Sequence, residues 1–140
     1  MESFRDLICF KLGSATRRIQ KYYNNRYGEY GITIAQSFIL FSLLESDGLS
    51  IKNLAERLNI DSSAITGLVD RLEKESLVER RVDPKDRRSF SIFLTNKGKN
   101  LAETVLPIAV EFNEKLKTNL GEEQEESLKT FLCEIEKLEA

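Results

Sequence analysis

The sequence predicts a mainly α-helical fold carrying one small β-hairpin, and three patterns carry that prediction. Apolar residues recur at helical spacing through most of the chain, in segments separated by glycines or capping residues. Two of these segments are short and joined by only Asn59-Ile60-Asp61, the spacing of a helix-turn-helix. Strand-type runs flank a single polar turn, Asp83-Pro84-Lys85-Asp86-Arg87-Arg88.

Taken in order, Phe4, Ile8, Leu12, Ala15, Ile19 and Tyr22 form one stripe of a helix expected over Phe4–Tyr27, which Gly28 and Gly31 break. Thr33-Ile34-Ala35-Gln36 has capping-box spacing, the hydroxyl taking the N3 amide while Gln36 reaches back to the cap. The helix it opens runs through Phe38-Ile39-Leu40-Phe41-Ser42-Leu43-Leu44 and is apolar on nearly every side, so it is expected to be the most buried; Asp47-Gly48 ends it. Ser50 can cap the next helix, which carries Ile51, Leu54, Ala55 and Leu58. After the tight connection, a second short helix places Ile65, Leu68, Val69 and Leu72 inward. Leu77–Val82 and Phe90–Leu94 then read as strands, and the intervening Asp-Pro-Lys-Asp-Arg-Arg is too polar to bury, so it must project as a hairpin tip. Thr95 caps a long helix with Leu101, Val105, Ile108, Phe112 and Leu116 on one side; Pro107, which lacks an amide, should kink it. Gly121 ends that helix, and a last one carries Leu128, Phe131, Leu132, Ile135 and Leu138. The expected fold is a winged helix-turn-helix with additional N- and C-terminal helices.

At 140 residues the chain is read as one domain. No apolar run approaches the ~20 residues of a membrane span, and the N-terminus lacks the basic-then-apolar order of a secretory signal, so the expected location is cytoplasmic with no membrane partner. There are no histidines, and the two cysteines, Cys9 and Cys133, make no disulfide framework. That removes most zinc sites and histidine-based acid–base chemistry, so an enzyme is disfavoured and no cofactor is called for. Net charge is −2, but the distribution is uneven. Residues 49–100 carry eleven Lys/Arg against eight Asp/Glu, whereas residues 111–140 carry four against nine. Local field, rather than the total, governs binding.

Double-stranded DNA is the most economical partner for these features. The outward face of the second short helix holds Ser62, Ser63, Thr66, Gly67, Asp70, Arg71 and Lys74. Small hydroxyl residues at its start let the backbone approach base edges, helix-end amides can hold a phosphate, and Arg71 can reach a guanine or a flanking phosphate. Lys85, Arg87 and Arg88 on a thin wing can follow phosphates or enter a minor groove, with Asp86 pairing to Arg88 to hold its guanidinium extended. A lone helix-turn-helix reads few base pairs, so the wide stripes of the terminal helices point to a homodimer; their plainer role is intramolecular core. The competing function is a winged-helix protein-interaction module without specific DNA binding. It fits the pI of 5.4 but leaves the arginine wing unexplained.

The helix order, the Asp86-Arg87-Arg88 wing and Leu94-Thr95-Asn96-Lys97-Gly98 resemble MarR-type transcriptional regulators over essentially the whole chain. The resemblance implies residues 1–30 and 96–140 as dimerisation helices around a DNA-binding lobe at 33–95. It also implies a repressor that leaves a pseudo-palindromic operator when a small phenolic ligand binds or a cysteine is oxidised. Leu7-Ile8-Cys9-Phe10-Lys11-Leu12 is similar to the branch that senses organic hydroperoxides, and Tyr23 matches a tyrosine that hydrogen-bonds the reactive thiol there. Gly13 and Ile34 stand where that branch carries two further tyrosines. Cys9 is thus either a small apolar residue of the first helix or a thiol that forms a sulfenic acid. Fourteen residues of helix, about 21 Å, separate it from Tyr23, so the two can meet only across a dimer, where Cys133 can act as a resolving thiol. Tyr23, Tyr27, Phe38 and the Pro107 region either line an effector cavity or form plain aromatic core.

Overall fold

Two complete capping boxes start the helices around which the first half of the protein is built. In the computed structural model, which describes residues 2–138, the chain divides into two compact units, one up to Leu106 and one from Pro107.

In the first unit, Ser3 caps a 3₁₀ turn at Phe4–Asp6, and Leu7 is extended, so helix α1 spans Ile8–Tyr27 and starts one turn later than the stripe alone suggests. A second 3₁₀ turn follows at Gly28–Tyr30, and Gly31 takes a left-handed φ of 70°. Helix α2 (Ile34–Glu45) has both halves of its box: the Gln36 amide donates to Thr33 Oγ1 (3.3 Å) and the Thr33 amide donates to Gln36 Oε1 (2.9 Å). As expected, α2 is the most deeply buried helix, with Ile39, Leu40 and Leu43 closed off from solvent. Burying each such side chain contributes roughly 1.5–3 kcal/mol before conformational entropy is subtracted.

Asp47 does more than end that helix. Its Oδ1 accepts from the amides of Gly48 (3.2 Å) and of Leu94 (2.9 Å), tying the turn to the wing. The two residues that follow form a short strand, β1 (Leu49–Ser50), too short for any alternating pattern to announce. Ser50 then caps helix α3 (Ile51–Leu58) through a reciprocal box with Asn53. Asn59, at φ 52°, closes α3, and helix α4 (Ser62–Lys74) begins after Asp61. Ile65, Val69 and Leu72 of α4 are fully buried. Strands β2 (Val78–Asp83) and β3 (Asp86–Leu94) complete an antiparallel sheet of order β1-β3-β2. Leu49 pairs with Ile92, and Arg80 pairs with Ile92 from the other side.

Helix α5 (Asn96–Leu120) starts at a dense junction. The Thr95 amide donates to the Leu77 carbonyl (3.1 Å), the Thr95 hydroxyl donates to the Ser76 carbonyl (2.6 Å), and the same hydroxyl oxygen accepts the Gly98 amide (3.0 Å). A Cβ on Gly98 would sit 1.9 Å from the Leu77 carbonyl oxygen. The Leu-Thr-x-x-Gly pattern therefore has a physical basis: a cap that also grips the turn between α4 and β2, and a residue with no side chain where backbones touch.

In the second unit α5 continues from Pro107 to Leu120, Gly121 turns the chain at φ 81°, and helix α6 covers Glu122–Glu136. None of its residues is buried: Phe131 is 65% exposed, and Leu128, Leu132 and Ile135 are also on the surface. Among the described residues, no helix is long and apolar enough to cross a membrane.

Candidate nucleic-acid interface

The candidate surface is built from the outer side of α4 and the β2–β3 hairpin. Ser62, Ser63, Thr66, Asp70, Arg71 and Lys74 are exposed, while Ile65, Val69 and Leu72 anchor the opposite face. Unlike α2 and α3, α4 has no side-chain cap, because Asp61 at its N-cap makes no such hydrogen bond. Its first amides are left to solvent or to an outside acceptor, and their partial positive charge suits a phosphate. The Thr66 hydroxyl donates to the Ser62 carbonyl (2.9 Å), which commits its proton within the helix. Gly67 has nothing within 4 Å of where a Cβ would stand, so no neighbour in the protein requires a glycine there. In mid-helix it costs about 0.5–1 kcal/mol relative to alanine. Space for a close external contact is the physical return on that cost.

At the wing, Asp83 accepts from the Lys85 amide (2.9 Å), and Pro84 presets the preceding turn position. The tip is shorter than expected. Strand β3 begins at Asp86, so only Pro84 and Lys85 form the turn, and Arg87 and Arg88 lie in the strand. The register shifts between Val82 and Asp83, so Arg87 and Arg88 lie where the ladder is irregular, both exposed. The expected pairing of Asp86 with the Arg88 guanidinium is also replaced. Asp86 Oδ1 accepts from the Arg88 main-chain amide (3.0 Å) and Oδ2 from the Ser89 hydroxyl (3.3 Å). A carboxylate two residues upstream meets the backbone before it meets a long side chain, as an Asx turn does. Asp86 thereby shapes the start of the strand, and Lys85, Arg87 and Arg88 remain exposed.

Two arginines that periodicity did not single out are also fixed here. The Arg80 guanidinium pairs with Asp70, and with Glu73 at 3.9 Å, joining β2 to α4. Arg81 pairs with Glu79 (2.6 Å) and lies 4.0 Å from the Phe93 ring centre.

The fold and much of the sequence are shared with known proteins. The sequence profile of the MarR family matches residues 32–90. The chain is 35% identical over 108 residues to the HTH-type transcriptional regulator SarZ of Staphylococcus aureus, covering 76% of this chain and 73% of SarZ. The chain belongs to the MarR family. It is also 36% identical over 100 residues to the HTH-type transcriptional regulator TtmR of Methylorubrum extorquens, a match covering 71% of this chain and about half (51%) of TtmR. The structure of S. aureus MepR bound to DNA matches with a TM-score of 0.86 at 26% identity, over 92% of this chain and 95% of MepR. This MarR-family chain is thus a DNA-binding transcriptional regulator of winged-helix architecture, from a family of regulators rather than enzymes.

The residues expected to sense a signal are placed as follows in this MarR-family chain. Tyr23 and Tyr27 are in ring contact at 5.2 Å between centres. Burial, together with the neighbouring Tyr27 and Tyr22 phenols, pushes the Tyr23 phenol above its ordinary value. Burial likewise raises Tyr27, and the nearby Ser37 side chain offsets part of that rise. Both phenols stay neutral at physiological pH. Phe38 does not close over them; it is 45% exposed. A cleft of about 450 Å³ opens elsewhere in the first unit, lined by Tyr30, Glu75, Leu77, Lys97, Asn100 and Thr104. Cys9 and Cys133 are both exposed within the single chain, so neither is core as the chain stands. Cys9 and Tyr23 share the continuous helix α1, which keeps them apart within one chain.

Proposed function

We propose that the protein is a homodimeric repressor whose two α4 helices read the half-sites of a pseudo-palindromic operator, with the wings reaching the adjoining minor grooves. The observation that carries this reading is the juxtaposition of an uncapped, small-residue start of α4 with a wing whose Lys85, Arg87 and Arg88 are exposed. Ser62, Ser63, Thr66 and Gly67 supply the close approach to base edges, and Arg71 a guanine or phosphate contact. With its proton held by Ser62, Thr66 offers a methyl group and a lone pair outward, a match for a thymine methyl. The MepR–DNA complex supports the grip, since its fold matches this chain over nearly its full length.

Dimerisation is supported by the apolar surface that single chains leave open: Phe4, Leu7 and Ile8 near the start, and Leu128, Phe131, Leu132 and Ile135 on α6. Release follows from a small phenolic ligand near Tyr23, Tyr27 and Phe38, or from oxidation of Cys9. In the second case the thiolate attacks an organic hydroperoxide, the O–O bond breaks, an alkoxide leaves and takes a proton from water to become an alcohol, and cysteine sulfenic acid remains. Tyr23 of a second copy would donate to that thiolate.

The test is fluorescence anisotropy on duplexes from the promoter beside the gene. Arg88→Ala should weaken operator binding by about 1–3 kcal/mol while leaving the melting temperature unchanged. Failure of the wild type to bind any duplex, or undiminished binding by an Arg87→Ala/Arg88→Ala protein, would sink the reading. Release by hydroperoxide in wild type and not in Cys9→Ser assigns the oxidative input; release by a phenolic acid in both assigns the ligand.

A further inference from the structure

On the inward side of β2, Val78, Arg80 and Val82 share one face, and Arg80 stands opposite the fully buried Ile92. Alternation calls for an apolar residue at 80. Instead a guanidinium lies there, its side chain only 28% exposed, held by Asp70 and by Glu73 at 3.9 Å. Asp70 and Glu73 are three residues apart on α4, so they form one ledge on one helix face. Arg80 is thereby committed to the protein, in contrast to the exposed Lys85, Arg87 and Arg88.

We infer that Arg80 is a positioning residue: held by the carboxylate ledge of Asp70 and Glu73, it fixes the angle between the wing and the DNA-reading helix without touching DNA itself. Two elements that must enter neighbouring grooves at once need a defined separation. The buried contacts of Val78 and Ile92 hold the base of the hairpin. Beyond them, from Arg81 to the tip, most of the wing is exposed. Arg80 is the outermost residue of β2 with a charged link back to α4. A planar guanidinium suits this task, since it spans two carboxylates in a fixed fork. The inference rests on the proposed DNA binding.

Charge makes the test decisive. Asp70 and Glu73 are anions on the helix that faces DNA, so simple electrostatics says that removing them tightens binding at low salt. The positioning role says the reverse. Asp70→Asn/Glu73→Gln should lower operator affinity about tenfold, the usual scale for a partly buried charge-assisted link. The slope of log affinity against log salt should not become shallower. Arg80→Met should do the same, and the exchanged pair Asp70→Arg/Arg80→Asp, which keeps net charge, should recover most of the loss. Hydrogen exchange of the unbound protein gives a readout free of DNA: amides at 80–90 should exchange faster in Arg80→Met and slow again in the exchanged pair. Tighter binding by Asp70→Asn/Glu73→Gln would overturn the inference. So would an Arg80→Met salt slope reduced by about one, the mark of a lost phosphate contact. Should no duplex bind at all, the exchange data still decide the brace, and only the DNA reading falls.

Discussion

Helices α2 and α6 have similar lengths, 12 and 15 residues, and each carries a run of large apolar side chains, yet their fates differ. Six residues of α2 are buried by α1, α3, α4 and the sheet; none of α6 is buried. The contrast extends to their first turns. Thr33 and Gln36 close a capping box on α2, whereas Gly121 offers α6 no side-chain cap, and three glutamates stand in its first turn instead. Such acids favour a helix N-terminus by about 0.3–1 kcal/mol each at low salt. The lobe holding α2 finishes itself within one chain. An apolar stripe such as that of α6 states that something must cover it, and leaves the identity of the cover to the assembly.

The largest expected effect breaks α6 itself. Leu132→Glu should give monomers or unfolding, and either should lower operator affinity about a thousandfold by separating the two half-site contacts. Analytical ultracentrifugation beside anisotropy checks this, and a monomeric wild type that holds its operator tightly would remove the need for a cover. On the lobe side, Gly98→Ala drives a methyl group into the Leu77 carbonyl and should cost about 2–3 kcal/mol in thermal or urea unfolding. An unchanged melting temperature would show that the start of α5 can shift freely.

Gly67→Ala sharpens the comparison in the opposite sense, because this lobe position is open. It should stabilise the fold by about 0.5–1 kcal/mol and weaken DNA binding, splitting stability from function. If affinity rose with stability, DNA would not approach there. The smallest effect concerns pH. The Tyr23 and Tyr27 phenols are raised above 10.0 in the folded chain, so their contribution is fully present below pH 10 and is lost as pH climbs through the raised values. Unfolding free energy should fall above about pH 10, and less steeply in Tyr27→Phe. Equal slopes would place the titration elsewhere.

Much of this was legible in the chain because it rests on local chemistry. The Thr33 and Ser50 caps, the turn at Asn59-Ile60-Asp61 and the inward set Ile65, Val69 and Leu72 each follow from contacts a few residues apart. What escaped notice depends on distant partners. Strand β1 is two residues long and exists because β3 passes beside it. By pattern Arg80 is only a member of the strand run Leu77–Val82, since the ledge that claims it lies on another element. Spacing sets Asp86 beside the Arg88 guanidinium, but backbone and side chain compete for the same carboxylate and the amide takes it. Among the candidate interface residues, Ser62, Ser63, Thr66, Gly67, Arg71 and Lys85 stand where the helical and hairpin patterns put them, and Arg87 and Arg88 lie in the strand and not the loop.

Leu77 has a consequence for how such a lobe can vary in length. Its amide is bound by the Leu72 carbonyl (2.9 Å), its carbonyl by the Thr95 amide, and Gly98 rests against that same carbonyl. The end of α4 and the beginning of α5 are therefore riveted to one residue. An insertion or deletion between Leu72 and Leu77, or between Leu94 and Gly98, would pull a rivet out of register. The turn at Pro84-Lys85, beside the register shift after Val82, has slack. Wing reach can lengthen or shorten there, adjusting how far the ribbon extends, while the α4–α5 geometry beneath it stays constant.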